Sequence, residues 1–168
     1  DLWFKVAAAE GDLVGHATRA PTFDRHPRNP AIDGGVALRV DHSDAIVGFG
    51  PRGRIRFVCH DGEDVRIARS AQPVEADTWS HVVCQWDGKL IRVYLNGRPG
   101  RVRSCGELRQ SGPRDNADWY IGKALTRDAE FTGSMDDIVI FGRTLTREEI
   151  ERICAFGKMG YSAAEAVQ

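Results

Sequence analysis

Two stretches alternate apolar and polar residues and break only at Asp-Gly or Asn-Gly. They are GRIRFVCHDGEDVRIARS (residues 53–70) and TWSHVVCQWDGKLIRVYLNGRPG (residues 78–100). Period-2 alternation places successive side chains on opposite faces of a strand. Asp-Gly and Asn-Gly supply the positive φ that tight hairpins require. The first stretch therefore predicts a hairpin turning at Asp61-Gly62, with a return strand Val65 to Arg69. Ile55, Phe57 and Cys59 face one side and Arg54, Arg56 and Val58 the other. The second predicts strands from Trp79 to Trp86 and from Leu90 to Leu95, joined at Asp87-Gly88. Ile91, Val93 and Leu95 share one face there, and Asn96-Gly97 marks the next turn.

The same pattern predicts strands at Leu2 to Val6, Asp12 to His16, Val36 to Val40, Ala45 to Phe49, Trp119 to Gly122 and Ser134 to Phe141. One segment reads as helix. Thr146 and Glu149 form a capping box, Ile150, Ile153 and Cys154 make an apolar stripe, and Gly157 is a suitable stop. Ala163 to Val167 reads as a short helical turn or a frayed tail. Residues 17–35 hold three prolines and no periodicity, which predicts a rim loop of the kind that often carries binding. About ten short strands and one late helix give an all-β, antiparallel sandwich.

Composition narrows the function. The 168 residues suffice for one domain, residues 1–168, with 158–168 as its tail. A net charge of −1 argues against a general nucleic-acid binder. No apolar run approaches the roughly 20 residues that span a bilayer. The start, DLWFKVAAAEGD, carries no signal-peptide pattern and reads as the middle of a longer protein. Cys59, Cys84, Cys105 and Cys154 lack CxxC spacing, which disfavours zinc. They are either buried free thiols or, in an exported protein, two disulfides.

Three stretches, in order, resemble the laminin-G-like modules of the concanavalin A-like lectin/glucanase superfamily. WSHVVCQWDGKLIRVYLNG is similar to that family's W-x-H-V … D-G … Y-x-N-G strand-turn-strand. WYIGKAL is similar to its IG strand, and FTGSMDDIVIFGRTLTREEI to its closing strand and helix. The likeness covers residues 76–153 well and 1–50 loosely. It implies a two-sheet jelly-roll sandwich with one short C-terminal helix, in which Met135, Ile138 and Ile140 of the Ser134 to Phe141 strand are available for the core. It also implies one or two first strands that are missing or unrecognised here.

The resemblance also frames the candidate sites. Many relatives hold Ca2+ at the sandwich edge, which points to Asp136 and Asp137. Calcium takes six to eight oxygens, so a loop around Asp33 or Asp115-Asn116 would have to contribute. The competing reading is that one Asp of the pair accepts backbone amides and no metal binds. The family's glucanases use alternate carboxylates on one strand. The nearest match here, Glu10 to Gly15, lacks the last of them, so no catalytic residue is assigned and the chain reads as no enzyme. His81 fits the family's W-x-H-V position and reads as a packed strand residue. Arginine outnumbers lysine 19 to 4. Arg54, Arg56 and Arg66, expected on one hairpin face, would suit an acidic polysaccharide; the alternative is a solvated face of mixed charge. Trp79 and Trp119 match family core positions; Trp86 is the candidate exposed platform for a sugar, against the competing and favoured reading of a core or rim packing residue.

These readings converge on a non-catalytic recognition module. Its partner would be carbohydrate or a cell-surface or matrix ligand, and its setting a larger secreted or cell-surface protein with other domains. The alternatives are a structural or protein-interaction spacer and a glycan-active enzyme of the glucanase type.

Overall fold

A computed structural model of the chain describes residues 1–6, 12–17, 22–24, 37–39, 45–49, 53–60, 65–104, 118–122, 131–160 and 162–166. The first sheet contains β1 (Leu2–Val6), β8 (Ser80–Trp86), β9 (Leu90–Leu95), β10 (Arg98–Pro99), β11 (Arg103–Ser104) and β13 (Gly133–Asp136). Its order is β10-β9-β8-β1-β13, with β11 also paired to β9. The second sheet contains β2 (Asp12–Ala17), β5 (Ala45–Phe49), β6 (Arg54–His60), β7 (Val65–Pro73) and β12 (Asp118–Ile121), in the order β12-β2-β5-β6-β7. A small pair, β3 (Thr22–Asp24) and β4 (Ala37–Arg39), stands apart. All of these strand pairs are antiparallel. The fold is the expected all-β sandwich.

The predicted alternation holds wherever a strand has one face in the core. Leu2, Phe4 and Val6 of β1, Val82 of β8, and Ile91, Val93 and Leu95 of β9 meet Ile55, Phe57, Cys59 and Ala68 of the opposite sheet. Each large aliphatic side chain buried here contributes about 1.5–3 kcal/mol relative to exposure. The Asn96-Gly97 turn has positive φ at both residues, 51° and 76°, as a two-residue hairpin linking β9 to β10 requires. Asn96 also serves the neighbouring strand: its Oδ1 accepts from the His81 amide at 2.8 Å. The turn expected at Asp61-Gly62 lies outside the described residues.

A second core forms on the outer face of the first sheet. Helices α1 (Arg147–Lys158) and α2 (Ala163–Ala166) lie over it. Val83, Leu145, Ile150, Ile153, Ala163 and Ala166 cluster there, flanked by Tyr94, Val139, Phe141 and Phe156. The capping box is as read: Thr146 Oγ1 accepts from the Glu149 amide at 3.2 Å, and Glu149 Oε2 accepts from the Thr146 amide at 2.8 Å. Gln85 clamps the incoming chain to the sheet. Its Oε1 accepts from the Leu145 amide (2.9 Å) and its Nε2 donates to the Leu145 carbonyl (3.3 Å). Of the two readings left open for Ala163 to Val167, the helical turn is the one seen, with Ala163 and Ala166 buried.

Four local expectations are corrected. Helix α1 does not stop at Gly157 but runs to Lys158. Gly157 is there because Trp3 leaves no room: a Cβ at this position would lie 2.3 Å from Trp3 Nε1. The strand expected from Ser134 to Phe141 ends at Asp136, because Asp137 turns left-handed at φ 50°, a conformation Asp tolerates better than most residues. The alternation therefore breaks, and Ile140, expected to be available to the core, is 64% exposed. Finally, Thr22–Asp24 forms a strand inside the segment read as irregular.

Candidate functional site

Parity along β8 explains where its aromatics go. Val82, Cys84 and Trp86 point into the sandwich, while His81 and Val83 point outward beneath the helices. Trp86, the candidate platform, is therefore half-buried against the main core, as the competing packing reading has it. Cys84 is surrounded well enough that burial pushes its thiol up to about 12. Cys84 and Cys154 are free thiols, and Cys105 lies outside the described residues. Trp79, expected in the core, is 41% exposed. It precedes β8 with the parity of His81, so it faces the outer side, beyond the end of α1. Trp79, not Trp86, is the more exposed indole of the two. The signal was present: counting in twos from His81 puts Trp79 on the outer face. The Trp119 side chain lies outside the described residues.

The outer face around Trp79 forms a cleft of about 540 Å³, lined by Trp3, Trp79, Asp136, Asp137, Lys158 and Ser162, with Gly157 and Gly160. The volume falls within the roughly 300–1,000 Å³ usual for ligand sites. Register builds it: Trp3 pairs across the strands with Asp136 on one side and His81 on the other. Trp3 packs on His81 with ring centroids 5.0 Å apart. His81 is fully buried, and its Nε2 lies 2.7 Å from Asp1 Oδ1. This is a packed strand histidine, as read, with a buried carboxylate partner the sequence did not place. The Lys5 ammonium stands 5.8 Å from the centre of the Trp79 ring, within cation–π range.

The two aspartates divide their work. Asp137 Oδ2 accepts from the Ala163 amide at 2.6 Å and so ties β13 to α2. Asp136 is exposed; its Oδ1 accepts from the Asp137 amide at 2.8 Å. Among the described residues, Asp136 enters no ion pair. Nor does any group of three or more His, Cys, Asp or Glu come together there in a way that could hold a metal. Two carboxylates, each with one oxygen committed to a backbone amide, fall well short of the oxygens calcium requires. The described residues do not fit a calcium centre on their own. Asp33, Asp115 and Asn116 lie outside them.

The arginines do not gather as expected. Arg56 lies directly across from Arg69, whereas Arg66 lies across from the core-facing Cys59. Directly opposed residues share a face, so Arg66 is on the opposite side of the hairpin from Arg56. Arg54 is committed locally. Its Nη1 donates to the Ser70 carbonyl (2.9 Å) and the Ala71 carbonyl, bracing a register shift in β7. In the same place Ser70 Oγ accepts from the Ile55 amide at 3.1 Å. Arg92, on the neighbouring hairpin, pairs with Asp87 at 2.7 Å. That contact, with the Leu90 and Lys89 amides, holds the Asp87 carboxyl down to about 2. Of the partial glucanase match, Glu10 and Gly11 lie outside the described residues and Asp12 opens β2.

A second, largely apolar hollow of about 360 Å³ lies between Leu2, Phe57, Val82, Trp86 and the 138–145 segment. Ile140 is at its lip.

Known proteins share this architecture. The chain is similar to a native heptameric SAP-like pentraxin from Limulus polyphemus, with TM-score 0.59 and 14% identity over 91% of this chain and 67% of that one. It is also similar to domains LG4-5 of the mouse laminin alpha1 chain (TM-score 0.54, 13% identity, 81% of this chain and 32% of that one). A third likeness is to the CBM40 of the Ruminococcus gnavus IT-sialidase (TM-score 0.53, 13% identity, 80% and 71%). At these identities the likeness concerns the fold. A laminin-G family model, described as Concanavalin A-like lectin/glucanases superfamily, matches residues 2–151. The chain thus belongs to the laminin-G-like branch of the concanavalin A-like lectin/glucanase superfamily.

Proposed function

We propose that this chain is a non-catalytic recognition module that binds carbohydrate or another extracellular ligand, as one domain of a larger secreted or cell-surface protein. The observation that carries this reading is the outer-face cleft. A 41%-exposed indole is fixed on a rigid sheet beside a carboxylate free of ion pairs among the described residues. An exposed indole offers a broad apolar surface at little conformational cost, and an unpaired carboxylate gives direction through hydrogen bonds. The superfamily membership and the likeness to a carbohydrate-binding module support the reading at the level of fold. No helix among the described residues is long and apolar enough to cross a membrane.

A protein-interaction role is the second reading. It draws on the apolar hollow and the exposed Ile140 beside it. A screen of neutral and acidic glycans, run with calcium and with chelator, separates the two. The recognition reading expects at least one glycan to bind saturably. An empty screen in both conditions overturns it in favour of protein interaction.

A further inference from the structure

Resting on the recognition reading, we infer that the cleft at the end of α1 is a site for a neutral sugar, with Trp79 as its stacking platform and Asp136 as acceptor for ring hydroxyls. The cleft lies on the outer face of the helix-bearing sheet, on a rigid floor. Trp3 is 7% exposed and wedged between His81 and the last turn of α1, with no space for even one more carbon at Gly157. Asp137 cannot swing away without releasing the amide of Ala163.

Three observations select the ligand class. First, Trp79 presents a 41%-exposed indole at the cleft, with the Lys5 ammonium 5.8 Å from the ring centre over one face. A pyranose presents weakly positive C–H groups on its flat face, which suit the negative π-face of an indole. Second, Asp136 keeps acceptor capacity beyond its one bond to the Asp137 amide. A carboxylate takes hydrogen bonds from vicinal hydroxyls in the same bidentate way it takes them from a guanidinium. Third, the charges lining the cleft nearly cancel. Asp136 and Asp137 are offset by Lys158, with Lys5 over the Trp79 ring. A sulfated or uronic-acid ligand would place an anion against Asp136, and among the described residues the lining offers only the single Lys158 ammonium and no guanidinium fork to receive it. The arginine-based expectation of an acidic polysaccharide therefore does not transfer to this site. The acceptor role of Asp136 also makes binding here independent of calcium.

The test is titration of the full chain with neutral oligosaccharides (β-glucan, galactan and arabinan hexamers) and with acidic ones (uronate and sulfated hexamers), each with and without chelator. Wild type is compared with Trp79→Ala and Asp136→Asn, and thermal melting verifies that both fold. The expected result is saturable binding of a neutral hexamer, unaffected by chelator. It weakens at least about tenfold in Trp79→Ala, the equivalent of ~1.4 kcal/mol, and several-fold in Asp136→Asn. Neutral binding that survives both substitutions overturns the site but leaves the recognition reading intact. Binding confined to acidic hexamers, or lost with chelator, overturns the ligand class or the acceptor role and again leaves the recognition reading intact. Binding of no glycan overturns both.

Discussion

Replacing Gly157 by alanine sets two well-known effects against each other. In a helix interior, Gly→Ala ordinarily stabilises by about 1 kcal/mol. At Gly157 a Cβ would lie 2.3, 2.5 and 2.6 Å from Nε1, Cε2 and Cζ2 of Trp3. Carbon contacts are comfortable at about 3.5–4.0 Å, so a gap of more than about 1 Å must open. The ring cannot yield easily, being 7% exposed and packed on His81. Helix α1 must lift instead, loosening Ile150 and Ile153 from the second core. Overpacking of this kind costs about 1–3 kcal/mol; three clashing atoms on one rigid ring place Gly157→Ala near the upper end. Net of the helix gain, the loss is about 2 kcal/mol. For a chain of this length that lowers Tm by roughly 4–8 °C. Urea titration followed by circular dichroism measures it. Ala155→Gly, on the exposed side of the same helix, serves as reference and should cost about 1 kcal/mol. Adding Trp3→Leu should recover part of the Gly157→Ala loss, as a non-additive cycle. An unchanged or raised Tm for Gly157→Ala would refute the close-packing argument.

Other consequences are equally definite. Asp137→Ala removes the acceptor for the Ala163 amide and puts alanine at φ 50°; the two together cost about 2–3 kcal/mol. Asp137→Asn should cost about half of that or less, and an unchanged urea midpoint for the alanine variant would contradict the tie. His81→Leu strands the buried carboxylate of Asp1 and should cost about 3–5 kcal/mol, read as a large fall in Tm at neutral pH. The Asp87 and Glu149 carboxyls are both held down to about 2, the first by Arg92 and the second by Arg143. Their stabilising effect is present above the unfolded carboxylate range and fades as pH falls from about 4.5 toward 2. Melting temperature should drop across that window, and less steeply in Arg143→Ala, whose Glu149 has lost its largest cause of depression.

Strand content and core faces were legible because period 2 and turn residues are local signals. The positive-φ Asn-Gly pair, the Thr146–Glu149 box and the faces of β9 could be read directly from spacing. What escaped depended on a partner distant in sequence. Gly157 looks like a helix stop until Trp3, over 150 residues earlier, is seen against it. Ile140 loses the core because one left-handed residue, Asp137, cancels the alternation that precedes it. Arg66 parts from Arg56 because cross-strand register, not proximity in a hairpin, assigns faces. Trp79 is exposed because α1 ends before covering it, a length no pattern around Trp79 itself encodes. The cleft therefore joins β1, β13 and α1 residues that no single motif contains.

Titration of the wild-type chain and Trp79→Ala with a neutral hexasaccharide panel, in chelator-containing buffer, decides whether the outer-face cleft is a sugar site. A sugar site on Trp79 requires saturable binding by the wild type and a loss of at least about tenfold in the variant, with the same melting temperature for both. Equal affinity of the two proteins, or no binding by either, would contradict it.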